Sequence, residues 1–121
     1  VATKSLKPIK GTPNAVSTQT SNEALKMNPL PYGRDRAETI GAIKMVMGQL
    51  PRTELIDETE ESLHYVVSSK VMRFKDDVEF IFDDETRQIE FRSAARVGQY
   101  DFGVNRRRME DVSERYRRLI K

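Results

Sequence analysis

Hydrophobic positions change their spacing three times along this chain: scattered, then helical, then alternating, then helical again. Over residues 1–33, Leu6, Ile9, Val16, Leu25, Met27 and Leu30 follow no period and are interrupted by Pro8, Pro13, Pro29 and Pro31. That predicts an extended N-terminal arm laid over the remainder and pinned by its apolar side chains. Ala37, Ile40, Ile43, Met47 and Leu50 then recur at three- and four-residue steps, the signature of one helix face. Asp35 followed by Glu38 reads as a capping box, and Gly48 and Pro51 as a stop, so a helix is predicted over 35–49.

Alternation takes over next. Strands are predicted over 54–58, 62–74, 78–82 and 87–94. In the second, Leu63, Tyr65, Val67, Ser69 and Val71 share a face; Val78, Phe80 and Phe82 do so in the third, Ile89 and Phe91 in the fourth. The connections Thr59-Glu60-Glu61 and Asp83-Asp84-Glu85-Thr86 suit hairpin turns, which makes the strands an antiparallel meander. Met109, Val112, Tyr116 and Leu119 stripe a last helix over 104–119, with Arg106, Arg107, Arg115, Arg117 and Arg118 mostly off the stripe. The order α-β-β-β-β-α, with one apolar face per helix, predicts an α+β fold. It is a two-layer sandwich in which both helices cover one face of a four-stranded antiparallel meander. The organisation expected is an arm over 1–33 and a single domain over 34–121.

Composition narrows the chemistry. With 37% hydrophobic and 33% charged residues in 121, the chain supports one modest core beneath a heavily charged surface. It has no cysteine, which excludes disulfides, zinc–thiolate sites and cysteine nucleophiles; the single histidine, His64, excludes a two-histidine metal site. No apolar run approaches the ~18 residues of a membrane span. The chain begins at Val1 rather than Met, so a segment upstream is expected to have been removed, and the sequence does not show whether it held a signal or membrane anchor. The formal net charge is only +2, yet residues 53–91 hold twelve acids against four bases, and residues 92–121 nine bases against four acids. Attraction between the two segments within one domain accounts for this, as does a basic binding face.

The candidate chemistry concentrates in residues 91–108, where Arg92, Arg96, Arg106, Arg107 and Arg108 crowd around Gly98, Asp101, Gly103 and Asn105. Glycines allow positive φ or close backbone approach. Asn105, or Asp101 a turn earlier, would cap the last helix. If Arg92, Arg96, Arg106 and Arg108 converge on that helix N-terminus, they form an anion site. The same residues also support a purely structural reading. Asp101 would pair with Arg96 or Arg106, Asn105 would cap, the glycines would turn the chain, and Arg92 would meet an acid across the sheet. In Asp76-Asp77-x-Glu79, Asp77 and Glu79 share a strand face while Asp76 points away, and no glycine-containing calcium loop surrounds them. Neither metal nor cofactor is expected. His64 is a lone candidate base without a serine in a nucleophile-elbow context. The acidic half would repel a phosphate backbone, which argues against nucleic acid as partner.

The run Arg92-Ser93-Ala94-Ala95-Arg96-Val97-Gly98-x-x-Asp101-x-Gly103-x-Asn105-Arg106-x-Arg108 resembles the signature of a bacterial and plant family called domain of unknown function 1499. Arg73-Phe74-Lys75-Asp76-Asp77-Val78-Glu79-Phe80 resembles its second common block, and Pro13-Asn14-Ala15-Val16-Ser17 its Ser-Pro-Asn-Cys-Val-Ser block. The resemblance covers roughly residues 6–120. Many members carry two cysteines around the proline-asparagine block, where this chain has Lys10 and Ala15, so a thiol role is unsupported here. The resemblance implies no activity. It implies association with the cell envelope, as a lipoprotein or behind an N-terminal membrane segment.

Three functions follow as expectations. The first is a non-enzymatic binding or accessory domain recognising an anionic group on a small ligand, a lipid headgroup or a partner protein. Its site would be Arg92, Arg96, Gly98, Asp101, Gly103, Asn105, Arg106 and Arg108. The second is an enzyme using Asp101 and His64 as acid–base groups on an anionic substrate. The third is an envelope-associated structural domain whose signature only holds the fold.

Overall fold

A computed structural model describes residues 5–98 and 102–121. Its elements in chain order are β1 (Ala15–Ser17), β2 (Leu30–Pro31), α1 (Arg36–Gly48), β3 (Thr53–Glu58), β4 (Ser62–Ser68), β5 (Lys75–Asp83), β6 (Gln88–Ala95) and α2 (Val104–Ile120). The fold is α+β. The sheet has six strands in the order β1-β6-β5-β4-β3, with β2 also paired to β6, and every strand pairing is antiparallel. The expected four-strand meander is matched only in part: β3 to β6 pair in sequence order, but the sheet they belong to has six strands rather than four. The two further strands come from the arm: β1 covers the Arg92–Ala94 end of the β6 edge and β2 the Gln88–Ile89 end. Three and two residues are too few to show a period, so these strands escape a pattern reading. They occupy an edge that would otherwise present unpaired backbone. The opposite edge, β3, is exposed and carries Glu54, Asp57 and Glu58, charges that discourage further strand addition.

Strict alternation places the core. Leu63, Tyr65 and Val67 of β4, Val78, Phe80 and Phe82 of β5, and Ile89 and Phe91 of β6 all turn to one face. There they meet Ile43, Val46 and Met47 of α1 and Met109, Val112 and Tyr116 of α2, so both helices lie on that face. Val16, Leu30 and Tyr32 of the arm belong to the same cluster. Asp35 caps α1, its Oδ1 accepting from Glu38 N at 2.8 Å. Glu38 reaches back to Arg34 N rather than Asp35 N, so the capping box is shifted by one residue at its second bond.

Three expectations are corrected. The second strand does not run to Phe74; β4 ends at Ser68 and the chain reverses over 69–74. Ser69 and Phe74 close the turn, with Ser69 N donating to Phe74 O at 2.8 Å and Phe74 N to Ser69 Oγ at 2.9 Å. No glycine, proline or asparagine marks it; Arg73 supplies the positive φ, at 59°. Leu119 is exposed, and Ile120 packs on the core instead, because the α2 stripe runs through Asn105, Met109, Val112 and Tyr116. Ala37 is exposed, and Thr39 and Val46 take buried places on α1.

Candidate functional site

The sheet has two sides, and the signature is divided between them. On β6, Phe91 and Ser93 face the helices while Arg92 and Ala94 face away; on β5, Asp76 and Val78 face the helices while Asp77 and Glu79 face away.

On the helix side a polar network closes the gap between sheet, arm and α2. Asn105 is 1% exposed. Its Nδ2 donates to Asn14 O at 3.0 Å, and its Oδ1 accepts from Ser93 Oγ at 2.5 Å and from Arg108 Nη1 at 2.7 Å. Arg108 Nη1 also reaches Ser93 Oγ at 3.2 Å, and Arg108 Nη2 pairs with Asp76 Oδ2 at 2.8 Å. Asn14 ties the next turn to this cluster, its Nδ2 donating to Gly98 O at 2.7 Å and its O accepting from Ala95 N at 3.1 Å. Every bond in this set joins protein to protein, and a buried polar group so satisfied stabilises the fold.

On the open side the strand register aligns Asp57, His64, Glu79, Arg92 and Ser17 in one row across five strands. Asp77, between Val66 and Ala94, heads the next row. Arg92 pairs with Glu79 directly opposite. Asp77 is held from two directions: His64 Nε2 lies 2.8 Å from its Oδ1, while Arg96 reaches Oδ1 through Nη2 at 2.9 Å and Oδ2 through Nε at 3.0 Å. Burial pushes the Asp77 carboxyl up, but hydrogen bonds from Arg96 and His64 and their charges outweigh it and hold the group below the usual carboxylate range. The arm passes over these groups at residues 7–10, leaving a cavity of about 550 Å³ lined by Lys7, Ile9, Lys10, Asn14, His64, Asp77, Glu79, Arg92, Arg96 and Gly98 among others. Lys7 and Lys10 are exposed and make no ion pair among the described residues. The Arg92 Nε is buried without a hydrogen-bond partner, and its guanidinium meets the protein through Nη1.

The four arginines expected to converge on the helix N-terminus do not. Arg92 and Arg96 line the open-face cavity, and Arg108 turns into the helix-side network. Arg106 Nη2 donates to Ala24 O at 2.8 Å and so pins the arm. The physical reason is strand parity: Arg92 follows Phe91, an inward position, and therefore points outward. Asn105 is not the helix cap. Gly103 is, with φ 77°, and Asn105 lies inside the first turn with its side chain directed at Ser93 and Asn14. Gly98 has φ 83° and turns the chain at the cavity rim. Asp101 lies outside the described residues, and with it the expected Asp101–His64 and Asp101–arginine pairings. Across the sheet Arg92 does meet an acid, Glu79, and Asp76 does point away from Asp77 and Glu79. The expected site lacked Lys7, Lys10 and Asn14, whose places depend on how the arm lies, and Ser93, which strand parity with Phe91 turns inward. Among the described residues no group of three or more acidic or histidine side chains could hold a metal ion. No helix among them is long and apolar enough to cross a membrane.

A family model described as a protein of unknown function, DUF1499, matches residues 5–115. No curated protein and no solved structure matches the chain.

Proposed function

Since the chain belongs to the DUF1499 family, whose description assigns no activity, we propose a role from its own residues: a non-enzymatic binding domain that takes an anionic group into the open-face cavity. One observation carries the reading. The cavity wall holds four permanent cations, Lys7, Lys10, Arg92 and Arg96, against two carboxylates, Asp77 and Glu79. Both carboxylates are already engaged by the arginines, which leaves the two lysines without an acidic partner among the described residues. An entering phosphate, sulfate or carboxylate supplies the missing negative charge and accepts their hydrogen bonds. The volume is within the ~300–1,000 Å³ typical of small-molecule sites. Arg92 and Arg96 belong to this proposed site, while Asn105 and Arg108 serve the scaffold beneath it.

Calorimetric titration with inorganic phosphate, sulfate and citrate tests this. Saturable binding that weakens at least about tenfold in the Lys7→Ala/Lys10→Ala variant is the expected result. No saturable binding of any of the three, or equal binding by the variant, would overturn it. A second reading, acid–base catalysis on the bound anion, is favoured by the 2.8 Å contact of His64 Nε2 with Asp77 Oδ1, which fixes the ring by a carboxylate. It replaces Asp101 with Asp77 as the partner of His64. Turnover of an anionic ester that disappears in His64→Gln, with phosphate binding retained, would favour it over simple binding.

A further inference from the structure

The β4–β5 turn is built unlike a solvated turn. Its residues Lys70-Val71-Met72-Arg73, closed by Ser69 and Phe74, expose Val71 to 80%, Met72 to 65% and Phe74 to 54%. None of the three belongs to the core cluster. Val97, 60% exposed, lies on the neighbouring segment, where Arg96 N donates to Lys75 O at 3.0 Å. A soluble surface has no use for large apolar side chains gathered at one tip. Lys70, Arg73 and Lys75 alternate with them, all exposed and none in an ion pair among the described residues. The nearest acids in sequence, Asp76 and Asp77, are neutralised by Arg108 and Arg96, which leaves Glu54 of β3 as the one acid lining the depression beside Arg73 and Lys75 among the described residues.

The opposite end of the sheet has the reverse character. Glu58, Glu60 and Glu61 lie at and beyond the end of β3, and Asp83, Asp84 and Glu85 at and beyond the end of β5; of these Glu58 pairs with Lys44 and Asp84 with Arg36. Antiparallel strands put the turns that follow β3 and β5 together at one end and the 69–74 turn at the other. Within residues 53–91 the acids of these two turns and the cations of the 69–74 turn thus lie at opposite ends of the strands, which orients the apolar tip toward a negative surface.

From this we propose that the 69–74 turn docks the protein peripherally on a bilayer surface bearing anionic lipids. Val71, Met72 and Phe74 enter the boundary between headgroups and acyl chains. Lys70, Arg73 and Lys75 lay their aliphatic stems along that boundary and place their charges among the headgroups. The charge complementarity and the interleaving of long cations with apolar side chains select this partner.

The chain has no tryptophan, so Phe74→Trp is a unique reporter at an exposed position. With vesicles of phosphatidylcholine containing about one-third phosphatidylserine, its emission should shift to the blue, and with pure phosphatidylcholine it should not. Leu119→Trp, near the far end of α2, should not respond. Each basic residue removed should weaken partitioning roughly fivefold, so Lys70→Gln/Arg73→Gln should lose about 25-fold. Flotation of the unmodified chain with the same vesicles gives a readout that does not depend on a variant's folding. The proposal is overturned by absence of both the blue shift and flotation with anionic vesicles. It is equally overturned by a concentration-dependent blue shift without lipid, which would mean that a second copy of the chain covers the tip.

Discussion

Truncating Arg108 is the most informative perturbation of the scaffold. Its guanidinium lies 2.8 Å from Asp76, 2.7 Å from Asn105 and 3.2 Å from Ser93. The Arg108 and Asp76 side chains are only 12% and 14% exposed. Arg108→Ala therefore leaves a largely buried carboxylate without its cation, which costs about 3–5 kcal/mol. Against a total stability of about 5–15 kcal/mol that is a large fraction. At about 4 °C per kcal/mol for a domain of this size, the midpoint should fall by roughly 12–20 °C. Urea denaturation followed by circular dichroism measures the loss, with the m-value unchanged if only stability moves. Asp76→Ala/Arg108→Ala removes both charges and leaves Ser93 and Asn105 bonded to each other. It should be less destabilised than the sum of the single changes by about 2 kcal/mol. A cost for Arg108→Ala below about 1 kcal/mol, the value of one ordinary hydrogen bond, would refute the reading of this network as structural.

Asp77, held below the usual carboxylate range, contributes stability that is present above the unfolded carboxylate value near 3.9 and is lost as pH falls through that value and then through its own lower one. The stability gap between the wild-type chain and Asp77→Asn should therefore narrow as urea titrations move from pH 6 to pH 3, and a constant gap would contradict the pairing with Arg96 and His64. Gly103→Ala should cost about 1 kcal/mol, because an alanine at φ 77° is strained and its Cβ would meet Arg107 Nη1 at 3.0 Å; thermal unfolding with no change in Tm would show that the helix start relaxes freely. Burial, followed by the charge of Glu58, pushes the Tyr65 hydroxyl up to about 12, so an ultraviolet titration of the wild-type chain should lose, in Tyr65→Phe, a component ionising well above the ordinary value near 10. Loss of a component near 10 would mean that Tyr65 is solvated.

The element order was legible largely because α2 and the strands β4, β5 and β6 carry clear periods, set by which side of an element meets the core; β3, exposed almost throughout and irregular between Leu55 and Asp57, carries none. Errors fell where the period could not decide. Val71 continues the alternation of β4 in sequence, but it stands on the turn, where exposure rather than packing governs it. Leu119 and Ile120 are both apolar, and only the phase fixed by Asn105 and Tyr116 tells which is inward. The arm strands rest on pairing with β6, a long-range contact with no local signal. At the candidate site, the signature was visible but its division was not. Parity does contain the answer for Arg92, since Ile89 and Phe91 are inward. The direction of Arg108 depends on the phase of α2 relative to the sheet, which no local pattern carries. Lys7 and Lys10 reach the cavity only because the arm folds across the open face.

The central claim is that the signature divides into a scaffold half and a half that faces an anion-accepting cavity. The most direct test follows thermal unfolding of the wild-type chain and of Lys7→Ala/Lys10→Ala over rising inorganic phosphate. The two should unfold together without phosphate, because neither lysine is in an ion pair among the described residues. At phosphate tenfold above Kd the wild-type chain should gain about 1.4 kcal/mol, or roughly 5 °C, and the variant close to none. An equal rise in both, or no rise in the wild-type chain, would contradict the claim.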